Sequence, residues 1–248
     1  MKSTRRQPLI VWWLLPPTLF LATVGTGFVL AGSSSMTAVE TSAVVAVNSV
    51  HSPALDAIAL SINVVFGPSF AVLIAAIGIG AAGAISRSWI AALKMATLVV
   101  VPWGLADLVK IIVQRPRPDM SVLAHPVLVE PSTFSYPSGH TAFAAALGTG
   151  VLMMLAGRRY RRTSVTLVVV VAIVTAWSRV YLGAHFPSDV LASLLLVPLL
   201  SICVSALWNR TRLAAGGAPV RKSDQHPDHG GFLEDATRTT EPKEDRWP

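Results

Sequence analysis

Charge is scarce in this chain. Only 13% of its 248 residues are Asp, Glu, Lys or Arg, against 52% hydrophobic ones, and the mean hydropathy is +0.58. An ordinary soluble domain carries about a quarter of charged residues, so that class is excluded. Cysteine is almost missing too. Cys203 stands alone, which rules out an internal disulfide, and its place inside an apolar run reads as a small buried side chain. There is no Walker loop, no Cys/His metal spacing and no internal repeat. No cofactor or metal and no nucleic acid is expected as a partner.

What the chain has instead is length of apolar sequence. Runs near the roughly 20 residues that cross a bilayer fall at about 9–31, 56–83, 89–113, 139–157, 164–184 and 187–208. The fold class expected is all-α, a polytopic membrane helix bundle of about six transmembrane helices. Val29-Leu30-Ala31 resembles a signal-peptidase site. The run before it exceeds the apolar core of about 7–15 residues in a signal peptide, which favours a retained first span. Met36 to Val50 has the weak amphipathicity of a short interfacial helix, and Ser52-Pro53 reads as a cap and first turn. Gly67-Pro68 is expected to kink the second span. Residues 209–248, rich in Pro, Gly, Thr and charge, read as a disordered polar tail beyond a membrane domain at 1–208. The tail histidines His226 and His229 belong to that solvated segment.

The net charge of +7 lies in the membrane body, with thirteen Lys/Arg and six Asp/Glu up to Asn209; the tail holds seven of each. Arg5 and Arg6, Arg87, the Arg158–Arg162 group, and Arg210 with Arg212 share one face. By the positive-inside rule that face is cytoplasmic, with both termini. Lys94 is placed to snorkel. Asp107 and Lys110, a turn apart, can pair. The opposite, extracytoplasmic face receives Lys110 to His140 and Arg179 to Asp189, basic segments that run against the charge bias.

The densest of those segments is Trp177 to Leu191. It sets Arg179, His185 and Asp189 at the junction of two apolar runs, where such side chains are costly unless they face a polar cavity or one another. Pro187 suits the first turn of a helix. A helix from about Phe186 places Asp189 one turn from His185, able to accept from Nδ1–H and leave Nε2 bare. Arg179 would aim a planar fork of donors at the same spot. Taken alone, the stretch fits equally a loop with a charge pair at the membrane edge.

Two further segments reach the same face. Lys110 leads into Gln114-Arg115-Pro116-Arg117-Pro118, which cannot continue a regular helix. Pro137-Ser138-Gly139-His140 opens the fourth run, with Ser138 a natural N-cap. Together the pattern Lys110-x6-Arg117-Pro118, Pro137-Ser138-Gly139-His140, Ser178-Arg179-x5-His185-x3-Asp189 resembles the type 2 phosphatidic acid phosphatase superfamily. That group includes lipid phosphate phosphatases, undecaprenyl-diphosphate phosphatases, glucose-6-phosphatase and vanadium haloperoxidases. Every motif position is present.

The resemblance implies an integral membrane phosphatase acting on a lipid phosphate or diphosphate from the bilayer. His185 would attack phosphorus, Asp189 would orient it, and His140 would protonate the leaving group and then activate water. Lys110, Arg117 and Arg179 would hold the phosphate oxygens, with the backbone at Ser138 and Gly139 adding a helix N-terminus. Gly139 would let that backbone approach closely. The same charges also suit a phosphatase for a small soluble ester, or a transporter that binds an anion without turnover. A nucleophile facing a second histidine discriminates the enzyme from the transporter.

Overall fold

A computed structural model describes residues 9–128, 133–155 and 161–215. They form eight α-helices: α1 Leu9–Gly32, α2 Ser34–Asn48, α3 Pro53–Val65, α4 Pro68–Ser86, α5 Trp89–Val113, α6 Gly139–Met154, α7 Arg161–Tyr181 and α8 Pro187–Ala215. The described residues contain no strand. Helices α1, α4, α5, α7 and α8 are long and apolar enough to cross a membrane. The all-helical, multi-pass architecture expected from the apolar runs is present.

The second expected span, 56–83, is two helices and not one. α3 ends at the Phe66 cap, and Gly67 starts a new helix with Pro68 in its first turn. A proline lacks the N–H that would continue α3, so the chain turns and restarts. α3 instead forms a bent pair with α2, the two inclined by 119°. Ser33 and Ser52 cap these helices, accepting from the backbone N–H of Met36 and Leu55. Of the two caps, Ser52 stands at the break between α2 and α3 and satisfies one of the orphan donors of α3 there.

At the centre lies α6, whose Ala142, Ala144, Ala145, Ala146 and Phe143 are all buried. With 16 residues it rises about 24 Å, short of the roughly 30 Å hydrocarbon layer. Small side chains are what allow α5, α7 and α8 to pack closely around it. Gly148 is one such contact: a Cβ there would stand 2.5 Å from Val168 Cγ1.

The polar ends of α5, α6, α7 and α8 gather at one end of this bundle. α5 stops at Gln114, which adopts a left-handed conformation (φ 53°), and the Arg-Pro-Arg-Pro segment leaves without helical bonds. Asn48 at the end of α2 anchors the loop that follows. Its side chain donates to the carbonyls of His125 and Tyr181 and accepts from the His125 N–H. α8 runs to Ala215, beyond the span end expected at 208. The expected disorder of the tail from Gly216 onward, with His226 and His229, and most of the basic turn at 156–160 lie outside the described residues.

Candidate active site

The start of α8 builds the heart of the site. Pro187 occupies the first helical turn and Asp189 follows two residues later, with its Oδ2 accepting from the Phe186 N–H at 2.9 Å. This is half of a capping box, so forming the helix also fixes the carboxylate. Oδ2 lies 3.4 Å from His185 Nδ1, a loose contact without hydrogen-bond alignment. Both side chains are buried, at 0% and 1% exposure. Gly183 makes the turn from α7 into His185 possible. It sits at φ +72°, and a Cβ there would meet Leu123 Cδ1 at 2.3 Å.

His185 opens onto a cavity of about 500 Å³. Lys110, Arg117, Gly139 and His140 line it as well, so residues from the ends of α5, α6 and α7 meet as their spacing suggested. Arg117 is held by Thr133, whose carbonyl and hydroxyl accept from Nε and Nη2, and by the Ala184 carbonyl, which accepts from Nη1 at 2.7 Å. Nη1 also lies 3.3 Å from His185 Nε2. Burial pushes the His185 pKa well below its ordinary value, and the cations Arg117, Arg179 and Lys110 push the same way. The imidazole is therefore neutral near pH 7.

Gly139 packs against the cation it was expected to accompany: a Cβ there would stand 3.2 Å from Lys110 Nζ. Asp107 lines the same cavity, only 4.0 Å from Lys110. It pairs with that lysine loosely and faces the site. Among the described residues, no group of three or more His, Cys, Asp or Glu side chains is arranged to hold a metal ion.

Ser138 departs from the expectation. It occupies the N-cap of α6, yet its side chain makes no capping bond; the hydroxyl accepts from Thr141 Oγ1. Its backbone N–H, expected to face the anion, donates instead to the Asp189 carbonyl at 3.1 Å. Fully buried and off the cavity wall, Ser138 ties the start of α6 to the start of α8. Arg179 is likewise fully buried and reaches the cavity wall through Asn63, whose Oδ1 accepts from Nη1 at 2.6 Å.

Three side chains that sequence reasoning passed over complete the arrangement. Asn63 of α3 takes Arg179 on its side chain, and its carbonyl lies 3.2 Å from His140 Nε2. Arg115 donates to Asp189 Oδ1 at 2.7 Å and to Glu40 Oε2 at 2.6 Å. Glu40, from α2, had one visible signal. It is the only Asp, Glu, Lys or Arg between Arg6 and Asp56, and an acid in an apolar stretch needs a partner.

A helical membrane bundle whose cavity joins three cations or their partners to two histidines defines a class, and the comparisons agree with it. A sequence model of the PAP2 superfamily matches residues 87–213, and the chain belongs to that superfamily. It is 40% identical over 90 residues to decaprenylphosphoryl-5-phosphoribose phosphatase of Mycobacterium tuberculosis, covering 36% of this chain and 46% of that protein. Phosphatidylglycerophosphatase B of Bacillus subtilis is 34% identical over 84 residues, covering 32% of this chain and 39% of that one. A putative undecaprenyl-diphosphatase of Escherichia coli is 31% identical over 117 residues, covering 47% and 54%. The chain thus spans between 39% and 54% of the length of these relatives. The crystal structure of a transmembrane PAP2-type phosphatidylglycerolphosphate phosphatase from Bacillus subtilis shares the fold. Its TM-score is 0.67 at 24% identity, over 79% of this chain and 96% of that one.

Proposed function

We propose that this protein is an integral membrane phosphatase that hydrolyses a lipid phosphate or diphosphate through a phosphohistidine. One observation carries the reading. The Nε2 of a neutral, buried His185 opens onto a cavity that also presents Lys110, Arg117 and His140. Catalysis of phosphoryl transfer is mostly positioning and charge stabilisation, and cations on a phosphate's oxygens supply both.

In the first step Nε2 of His185 forms a bond to phosphorus while the bond to the leaving oxygen breaks, and His140 gives that oxygen a proton. The ring becomes a cationic phosphohistidine beside Asp189. In the second step His140 takes a proton from water as the water oxygen bonds to phosphorus. The Nε2–P bond then breaks and inorganic phosphate departs. Lys110, Arg117 and, through Asn63, Arg179 balance the phosphate charge throughout. No step uses a metal.

A lipid fits the setting. Phe66, Pro68 and Trp103 line the cavity beside its polar groups, and a head group can enter laterally while its chains remain in the bilayer. The names of the relatives point to bacterial envelope lipids. By the positive-inside rule the site faces the outside of the plasma membrane and the termini face the cytoplasm.

The experiment is phosphate release by the purified protein, with EDTA present. The panel is phosphatidic acid, phosphatidylglycerol phosphate, a polyprenyl diphosphate, a polyprenyl phosphoribose phosphate and the water-soluble p-nitrophenyl phosphate. Rapid release from one lipid supports the proposal. Hydrolysis of the soluble ester alone would replace the substrate class. Binding without release from any would make the site a transporter's or a binding protein's, and a requirement for Mg²⁺ would overturn the metal-free mechanism.

A further inference from the structure

Behind the nucleophile, two carboxylates converge on one guanidinium. Arg115 is 1% exposed. Its Nη1 donates to Asp189 Oδ1 and to Ser188 Oγ, each at 2.7 Å, and its Nη2 donates to Glu40 Oε2 at 2.6 Å. Its guanidinium carbon lies 4.2 Å from the centroid of the Phe186 ring. Glu40 grips the start of α8 as well. Oε1 accepts from the Ser188 N–H at 2.8 Å and Oε2 from the Ser188 hydroxyl at 3.0 Å. None of this group except the neighbouring His185 lines the phosphate cavity.

Such a cluster is hard to explain as a device for stability. Desolvating three charged groups costs about as much as their attraction returns, and apolar residues of equal volume often serve a fold better. The charge count suggests another use. Arg115 with Asp189 alone would sum to zero, and a neutral pair offers little to an imidazole that must become cationic. Glu40 leaves the trio with one net negative charge, in a medium where charges interact far more strongly than in water.

We infer that Glu40 and Arg115 are positioning residues for the phosphatase reaction, holding Asp189 toward His185 and keeping its negative charge uncancelled while the phosphohistidine forms. The inference rests on the proposed phosphohistidine mechanism. Arg115 fixes the carboxylate by taking Oδ1, which leaves Oδ2 to the Phe186 N–H and His185. Glu40 shares the guanidinium, so that Asp189 answers the charge that develops on the ring when Nε2 bonds to phosphorus. Substrate does not touch either residue, so they act on the rate of the covalent step and not on the phosphate's affinity.

The test uses the full-length protein in detergent, with whichever lipid of the panel the unaltered protein hydrolyses fastest, and with orthovanadate as a probe of the phosphate cavity. Glu40→Gln keeps the shape of the side chain and removes its charge. It should lower kcat on the order of 100-fold, the scale of a misplaced catalytic group, with KM and vanadate inhibition within twofold of the unaltered protein. Arg115→Met should lower kcat further, and Arg115→Lys should recover part of the loss. If the arginine variants do not fold, the Glu40→Gln split of kcat from KM decides alone. A kcat for Glu40→Gln within threefold of the unaltered protein would overturn the inference, as would equal damage to kcat, KM and vanadate binding. Either result with an active parent leaves the phosphatase reading standing. An unaltered protein that releases no phosphate from any substrate overturns both.

Discussion

Nε2 of His185 lies 3.3 Å from the guanidinium of Arg117. An arginine N–H only donates, so the ring nitrogen there accepts, and the ring's proton belongs on Nδ1, on the Asp189 side. The arginine that grips phosphate in the proposed mechanism thus also selects the tautomer in which Nε2 is bare. Replacing His185 by Ala should abolish turnover by several orders of magnitude while the protein still folds and inserts. Phosphate release by the purified variant checks this, and more than a tenth of the parent activity would sink the assignment.

The proposed acid, His140, has its own signature. His140→Ala should slow substrates with poor leaving groups most, because p-nitrophenolate departs without a proton and an alkoxide does not. A series of aryl and alkyl phosphates measures the slope. Equal slowing across the series would remove His140 from that role.

His185 also carries a pH dependence of known sign. Its folded-state pKa is depressed, by burial first and then by the charges of Arg117, Arg179 and Lys110. In the unfolded chain the ring takes a proton near pH 6.5. Below that pH the unfolded state binds a proton that the native ring refuses, so this group costs stability increasingly as pH falls. Melting temperatures in detergent should therefore drop less between pH 7 and pH 5 in His185→Gln than in the parent. Equal drops would show that the native ring is protonated.

Asn63 joins Arg179 to His140, accepting from the arginine at 2.6 Å and standing 3.2 Å from the histidine. Hydrogen bonds to charged groups contribute about 1.5–3 kcal/mol. Asn63→Ala should therefore weaken orthovanadate inhibition about tenfold or more, at 1.4 kcal/mol per factor of ten. An unchanged inhibition constant would show that Arg179 does not depend on Asn63 to serve the phosphate.

Sidedness can be read with two cysteines in a Cys203→Ala background; the native thiol is buried. Ala124 is exposed in the loop beyond the Arg-Pro-Arg-Pro segment, and Thr163 is exposed near the start of α7. Ala124→Cys should react with an impermeant thiol reagent in intact cells, and Thr163→Cys only after the membrane is opened. The reverse pattern would put the cavity in the cytoplasm.

Much of the candidate site's geometry was legible because it is written in local spacing. His185 and Asp189 are one helical turn apart, and Pro187 marks where that turn begins. Lys110, Arg117, Gly139 and His140 stand where helices end, and those ends meet when adjacent spans run antiparallel. Ser138 was misread, since a cap residue's N–H looks available until another helix start claims it. Glu40, Asn63 and Arg115 were not assigned because their partners lie far away. Glu40 is 75 residues from Arg115 and Asn63 is 116 from Arg179, and no periodicity encodes such pairings. The second span was misjudged for a related reason. Its apolar composition runs on past Gly67-Pro68, and composition does not record where a helix stops.

The bent pair α2–α3 limits how members of this superfamily can be recombined. One of its arms carries Glu40 to Arg115, behind Asp189, and the other carries Asn63 to His140, yet both precede the residues 87–213 that match the superfamily. The shared segment therefore holds neither Glu40 nor Asn63. A chimaera that takes 87–213 from this chain and the preceding helices from a relative would carry the motif residues in full and draw the groups at positions 40 and 63 from another sequence. Swaps between relatives should keep α2 and α3 together with the motifs, as one transplantable unit.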